Sequence, residues 1–574
     1  MVPFAPIQYL LFLLIVTLAV KPVGIYLERV FKGEATWLDP LLRPVERLIY
    51  RLGGIHPKEE MGWQAYSLAF ILFGLLGTVL VFLLLLAQPW LQPVDPHYRP
   101  GPMSPLLALN TAISFATTTT WQAYSGESAL SYLSQALALT SQNVLAGAGG
   151  LAVGMAFIRG FGRVHCETLG NFWVDVTRAT LWVLLPVTLL GALVLIWQGV
   201  PQNWHAYVSA LGLEGSKQLL PQGPVASLEF IKNLGTNGGG FFGANGAHPY
   251  ANPTPLSNFI GMLAIVIIPA ALTHTYGRMV NRVRHGWMLY GVMATLFAAG
   301  LVLYHGYEQA GNPRIAALGV DAQVSMLQPG GNMEGKELRF GIGQSVLTGI
   351  ATSNGATGST NASIDSNTPL GGAVVLVNML LGEAIFGGLG TGLYSMVLSA
   401  LLAVFITGLM IGRTPEYLGK TLGPAELKLI GLYTVIGPGV VLILTAIAVV
   451  TPAGLAALTT NGGPHGFTGI LFAYTTCFAN NGQSFAGMTV DSPFYHVTTI
   501  IAMLAGRFGL AVPALALAAS VARQGRRAVT KGTLGTDGVL FASALVGVLL
   551  LVGGLSYLPA LAMGPIVEHL QLWH

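Results

Sequence analysis

Thr118-Thr119-Thr120, Thr236-Asn237-Gly238, Ser353-Asn354-Gly355 and Asn480-Asn481-Gly482 are four short polar clusters in a mostly apolar chain of 574 residues. Their first residues lie 118, 117 and 127 positions apart, so the chain reads as four units of nearly equal length. Each cluster follows a semi-apolar stretch, at 106–116, 225–235, 344–352 and 466–479. Stretches this short cannot cross a bilayer, which takes roughly 20 apolar residues. They suit half-helices that dip into the membrane and turn back. Non-helical backbone at that depth is tolerated only where protein or a water-filled cavity surrounds it. Four such loops entering from one side toward a common axis make a pore.

The rest of the chain supplies the spans. Only 9% of residues are charged and 53% are apolar, whereas a soluble domain carries about 25% charge. Ten long apolar stretches stand out, at 4–20, 67–87, 128–158, 179–197, 255–276, 286–303, 369–412, 429–450, 494–522 and 539–561. Two of them hold a charge, Glu383 and Arg507. The first stretch is followed by Lys21 with no basic residue ahead of it, and reads as an uncleaved anchor. One alternate set of loops holds 20 of the Lys and Arg, Arg413 and Lys531 among them, and the opposite set holds 6, including Arg99. Basic loops mark the cytoplasm, so both termini are expected outside. The fold class is an all-α polytopic membrane protein: ten transmembrane helices, with four parallel helix–pore loop–helix repeats around a central pore. The expected divisions are 1–63 (first span and a strongly basic loop), 64–158, 173–285, 286–412 and 428–522 (the repeats), and 537–561 (the last span).

The clusters carry neutral oxygens and no Asp or Glu. Hard divalent ions usually recruit carboxylates, so a ring of carbonyls, hydroxyls and amides favours a monovalent cation. Half-helices entering from outside would aim their C-terminal ends, which favour cations, at the ring. A single such cluster is more often a surface turn; four at near-equal spacing on one side are not. The candidate filter residues are Thr118, Thr120, Thr236, Asn237, Gly238, Ser353, Asn354, Gly355, Asn480, Asn481 and Gly482. Arg507, the one cation inside a span, is a candidate for repelling or gating the ion, or for pairing with Glu383. Glu383 lies in the seventh stretch, which at 44 residues is too long for one straight helix and carries Gly387, Gly388, Gly390 and Gly392, the signature of a break that makes it a helix hairpin or a tilted, kinked helix. Cys166 and Cys477 are far apart, which argues against a disulfide framework. The sequence has no GxxxxGK[ST] loop and no DKTG-type phosphorylation motif. ATP hydrolysis by this chain is therefore not expected, and active transport would draw on a partner or an ion gradient.

Longer motifs around the clusters resemble a known family. They are Asn110-Thr-Ala-Ile-Ser-Phe with Trp121-Gln-Ala-Tyr-Ser-Gly-Glu, Leu234-Gly-Thr-Asn-Gly-Gly-Gly-Phe-Phe-Gly, Ile411-Gly-Arg-Thr-Pro-Glu-Tyr-Leu-Gly-Lys, Pro464-His-Gly-Phe and Gly506-Arg-Phe-Gly. These resemble the potassium-binding A subunit of the Kdp potassium-transporting ATPase over nearly the whole chain. The resemblance implies a potassium-channel-like subunit in the bacterial inner membrane, working with a P-type ATPase B subunit, a C subunit and a small F peptide. It also implies K+ as the transported ion, no nucleotide bound by this chain, contact with membrane lipid, and no nucleic-acid partner. The resemblance implies that the family's ion site falls on the four clusters, and its mobile loop beneath the filter, which controls ion passage, on the region of Gly387 and Gly388. Where the family's first loop often has asparagines this chain has Thr118 and Thr120. Where the third often has a small residue or cysteine it has Asn354. Both changes keep neutral oxygen chemistry and bear on affinity. The remaining alternatives are a stand-alone potassium channel or gradient-driven transporter of the same superfamily, and a lipid-acting membrane enzyme, for which the sequence lacks an acidic or histidine cluster.

Overall fold

The computed structural model describes residues 4–90, 100–325, 328, 330–412, 414–527 and 535–572; Arg99, Arg413 and Lys531 fall outside them. Among the described residues, ten helices are long and apolar enough to cross a membrane: Ala5–Lys32, Trp63–Trp90, Ser134–Gly162, Phe172–Trp197, Pro255–Met279, Val283–Ala317, Thr391–Met410, Pro424–Val450, Pro493–Arg523 and Val539–Leu572. They follow the ten expected stretches in order. Two begin with the same device, a Ser or Thr whose side chain takes a free backbone N–H, followed by proline in the first turn. Thr254 does this before Pro255, closing a capping box with Ser257, and Ser492 does it before Pro493.

Four shorter helices descend between spans two and three, four and five, six and seven, and eight and nine. These pore helices are Pro105–Ala116, Val225–Leu234, Gly341–Asn354 and Gly463–Phe478. Their side chains are almost wholly buried, as half-helices held inside a protein must be. The third runs past the expected end at 352, through Ser353 and Asn354, with Gly355 as its cap.

The seventh stretch is broken. Pro369–Leu380 is helical, the chain then turns through left-handed backbone at Gly382, Glu383, Phe386 and Gly390, and Thr391–Ile411 resumes the helix. The turn packs tightly on the glycine face of the third span. A Cβ on Gly150 would lie 2.7 Å from Leu389 O, and one on Gly154 would lie 2.5 Å from the Gly390 Cα. Small residues on membrane helices allow this kind of backbone approach. The third span is thus the innermost helix, while the first, second and tenth present rows of leucines outward, such as Leu10, Leu14 and Leu18.

On the face carrying the basic loops, a hairpin pairs Glu416–Tyr417 with Lys420–Thr421. Lys420 Nζ donates to Arg163 O (2.5 Å) and Val521 O (2.8 Å), joining the ends of the third and ninth spans. A cation at two helix C-termini is electrostatically favourable.

Candidate functional site: a ring of four loops

Each pore helix ends two residues before a tripeptide of repeating conformation. The helix ends are Ala116, Leu234, Asn354 and Phe478, and their caps are Thr117, Gly235, Gly355 and Ala479. The first and third residues of each tripeptide then have positive φ: Thr118 (63°) and Thr120 (50°), Thr236 (51°) and Gly238 (95°), Ala356 (48°) and Gly358 (81°), Asn480 (48°) and Gly482 (73°). The middle residue in each does not. Backbone N–H groups turn back toward the helix. Thr120 N donates to Ser114 O, Asn237 N and Gly238 N to Lys232 O, Thr357 N to Thr352 O, and Asn481 N and Gly482 N to Thr476 O. With the donors held behind, carbonyls are left to face the axis.

The third loop therefore differs in register from the sequence reading. Ser353 and Asn354 belong to the helix and Gly355 caps it; the matching tripeptide is Ala356-Thr357-Gly358. Ser353 Oγ donates to Gly349 O (2.6 Å), and Asn354 Nδ2 donates to Ile350 O (3.0 Å). Ser353-Asn354-Gly355 looks like Thr236-Asn237-Gly238, but the helix extends three residues further. Spacing could have shown this, because tripeptides starting at 118, 236, 356 and 480 lie 118, 120 and 124 apart. Thr119, part of the first cluster but not among the candidate filter residues, also gives its backbone to the ring.

The four tripeptides close on one another in cyclic order. A Cβ on Gly238 would lie 1.5 Å from Thr357 O, one on Gly358 2.2 Å from Asn481 O, and one on Gly482 1.8 Å from Thr119 O. The fourth junction differs: Thr120 occupies the third position, and its Oγ1 donates to Asn237 O at 2.5 Å. The middle-residue carbonyls of all four loops thus meet the third residue of a neighbour. Side chains at the middle position point into the wall. Asn481 Nδ2 donates to Thr352 O (2.9 Å), and the Asn237 amide, with its nitrogen toward acceptors, meets Gly235 O (3.2 Å) and Asn143 O (3.0 Å). Asn237 and Asn481 contribute backbone oxygen to the ring and use their amides as anchors. Four pore-helix C-termini converge here and add negative potential. Such an arrangement can replace part of a cation's hydration shell.

The first residues of all four loops, Thr118, Thr236, Ala356 and Asn480, line one cavity at the foot of the ring, together with Arg507 and Glu383. Arg507 sits in a π-helical turn, Ala505–Gly509, of the ninth span, a distortion common at functional sites. Its Nη1 donates to Thr118 Oγ1 (3.1 Å), its Nη2 donates to Ala146 O (2.8 Å), and its guanidinium lies 5.3 Å from the Phe70 ring centre. The ion pairs within 4.0 Å among the described residues do not include Arg507 with Glu383. The two share the cavity without touching. The broken seventh span forms the rest of the floor: Leu389 N donates to Thr236 Oγ1 (3.2 Å), and a Cβ on Gly388 would meet Ala356 Cβ at 3.3 Å. Gly387 lies beneath, in close contact with Gly392 and Glu383.

Comparison with known proteins agrees with this geometry. Residues 10–570 match the family of the potassium-transporting ATPase A subunit. A potassium-transporting ATPase potassium-binding subunit of Rhodopseudomonas palustris is 50% identical over 565 residues, covering 98% of each chain. One from Mesorhizobium japonicum is 49% identical over 571 residues, covering 99% of this chain and 98% of that one. Among solved structures, the potassium transporter TrkH from Vibrio parahaemolyticus shares the fold with a TM-score of 0.51 at 14% identity, over 88% of this chain and 97% of that one. Together with the ten spans and the closed ring of four loops, these matches establish that the chain belongs to the potassium-transporting ATPase A subunit family.

Proposed function

We propose that this chain takes potassium from outside the cell, selects it at the four-loop ring, and passes it on as the ion-translocating subunit of an ATP-driven uptake complex. The observation that carries the reading is the cyclic closure of four tripeptides over a cavity lined by the first residue of each. Neutral backbone oxygens suit a weakly hydrated monovalent cation better than a divalent one. The site comprises Thr118–Thr120, Thr236–Gly238, Ala356–Gly358 and Asn480–Gly482, while Ser353, Asn354 and Gly355 close the third pore helix ahead of its loop. Arg507 limits how far the ion descends, and the turn carrying Glu383, Gly387 and Gly388 is the element that moves to release it. Energy comes from partners, a P-type ATPase B subunit with a C subunit and an F peptide, in the bacterial inner membrane. The basic loops support a cytoplasmic assignment for their face and an outer one for both termini. The four pore units, 64–158, 173–285, 286–412 and 428–522, act as repeats about one axis.

ATP hydrolysis by the co-purified complex, followed against potassium concentration for wild type and Gly238→Asp, tests this. Potassium-stimulated hydrolysis that needs far more potassium in the variant supports a filter feeding a pump. Potassium uptake with no ATPase in any preparation would indicate a channel or gradient-driven transporter instead, and an unchanged potassium response in the folded variant would refute the ring as the site.

A further inference from the structure

The ring has one quadrant built differently from the other three. In each pore helix, the residue four positions before the tripeptide gives its carbonyl to the loop's N–H groups: Ser114, Lys232, Thr352 and Thr476. Three are small hydroxyl residues. The second is a lysine, fully buried, with no exposed side-chain surface. Removing an ammonium from water is costly unless it is paired, and the other three helices reach the same backbone arrangement without one. What distinguishes Lys232 is where its Nζ reaches. It lies 2.7 Å from Glu229 Oε2 and donates to Asn245 Oδ1 at 2.7 Å. Asn245 in turn donates from Nδ2 to Gly238 O at 2.8 Å. Gly240 passes over the ammonium closely enough that a Cβ there would lie 2.9 Å from Nζ.

An ammonium has only donors, so it can face only the oxygen end of the Asn245 amide. Gly246 N also donates to that oxygen, at 2.8 Å. The nitrogen end is thereby forced toward the Gly238 carbonyl. On the other side of the same loop, Thr120 Oγ1 donates to Asn237 O and accepts from Gly239 N at 2.6 Å. Two consecutive carbonyls of the second loop are thus clamped by side chains. The Glu229 carboxylate balances the ammonium, so the effect on an entering cation is geometric rather than a net repulsion.

We infer that Lys232 is a positioning residue which, through the Asn245 amide, fixes the Gly238 carbonyl and makes the second loop the rigid, size-discriminating quadrant of the filter. This rests on the ring being the potassium site. The relay is serial: Lys232 acts only by orienting Asn245, and Asn245 acts only by donating to Gly238 O.

The test is potassium- and rubidium-dependent ATP hydrolysis by the purified complex, for wild type, Lys232→Met, Asn245→Ala, Asn245→Asp, the Lys232→Met/Asn245→Ala double variant, and Gly482→Ala as a ring control in the fourth loop. Losing one hydrogen bond to a group facing a cation predicts a rise in potassium half-saturation of about tenfold in each single variant. The half-saturation should shift more than the maximal rate, and the preference for potassium over rubidium should narrow. Asn245→Asp keeps an acceptor for Lys232 and removes the donor to Gly238 O, so it should behave as Asn245→Ala does. The double variant should be no worse than the worse single variant, because the contacts lie in series. Additive losses, or single variants with the wild-type potassium-to-rubidium ratio while Gly482→Ala shifts half-saturation, overturn the relay and leave the filter standing. If Gly482→Ala and all relay variants keep the wild-type response, the filter assignment itself fails. Should Lys232→Met not assemble, the two Asn245 variants decide the question alone.

Discussion

Gly358 has no room for a side chain: a Cβ there would lie 2.2 Å from Asn481 O, and its φ of +81° is one that L residues rarely adopt. Overpacking of this kind costs about 1–3 kcal/mol, so Gly358→Ala is expected to raise potassium half-saturation roughly five- to 150-fold, read from the ATPase of the assembled complex. Asn354→Ala gives the contrast. Its amide donates to Ile350 O one turn back and meets no loop carbonyl, so the variant is expected to keep the wild-type potassium dependence. The reverse pattern, with Asn354→Ala impaired and Gly358→Ala normal, would return the third loop to the register suggested by its likeness to Thr236-Asn237-Gly238. That likeness was misleading for a physical reason. Asn and Gly are favoured just past helix C-termini as well as in turns, and composition alone does not separate the two. The polar clusters themselves were legible because neutral polar residues at membrane depth demand an explanation. The φ alternation that defines each tripeptide was not, and neither was the Lys232–Asn245 contact, since it depends on how the chain folds back after Gly238.

At the scale of elements, His465 ties three of them together. It sits at the start of the fourth pore helix; its Nδ1 lies 2.7 Å from Glu568 Oε1 at the end of the last span, and its Nε2 lies 2.7 Å from Asp365 Oδ1 in the segment after the third loop. Burial opposes the charged ring, but hydrogen bonds to the Asp365 and Glu568 carboxylates outweigh it and push the imidazole up to about 9. A group raised above its ordinary value of about 6.5 contributes stability that is complete below that pH and is lost as pH rises through the folded value. The clamp should therefore weaken between about pH 6.5 and 9. Thermal unfolding of the complex is expected to fall over this window in wild type and to be flatter in His465→Gln; parallel curves would show that the histidine does not hold the last span. Another element-scale contact is a buried pair, Lys336 Nζ to Glu308 Oε2 at 2.7 Å, with Thr368 and Asn332 also donating to Glu308. Lys336→Met leaves a buried carboxylate short of its cation and is expected to destabilise the third unit by about 3 kcal/mol, measured as a lower unfolding temperature. The spans and half-helices were readable from length and polarity. The break in the seventh span was readable from its glycines. Its contact with Thr236, more than 150 residues away in sequence, was not, because nothing local encodes it.

Across the whole molecule, the path below the ring does not continue straight to the basic face. Descending the third span, Gly150 meets Leu389, Gly154 meets Gly390, Phe157 packs at a tilt against Tyr394 (5.8 Å between centres), and Phe161 packs on Tyr276 and Tyr417 (6.2 and 6.0 Å). Tyr417 OH and His285 Nε2 lie 2.6 Å apart and complete the column. All these side chains are buried. An ion at the foot of the ring therefore meets the Arg507 guanidinium on one side and packed aromatics below. To the side, Glu383 and Thr391 line both the cavity under the ring and a larger one bounded by Ser395, Tyr433, Thr475 and Phe478. On the proposed function, the cation repelled by Arg507 leaves past Glu383 through this side cavity. Filling it should stop transport without altering selection. Ser395→Phe places a ring there, whereas Ser395→Ala removes only the 2.6 Å hydrogen bond to Tyr433 OH. The expected result is loss of potassium uptake into vesicles in Ser395→Phe, with half-saturation of the ATPase close to wild type, and near-normal uptake in Ser395→Ala. Full uptake in an assembled Ser395→Phe complex would mean that the ion descends through the aromatic column instead, and that Phe157, Phe161 and Tyr394 separate during turnover.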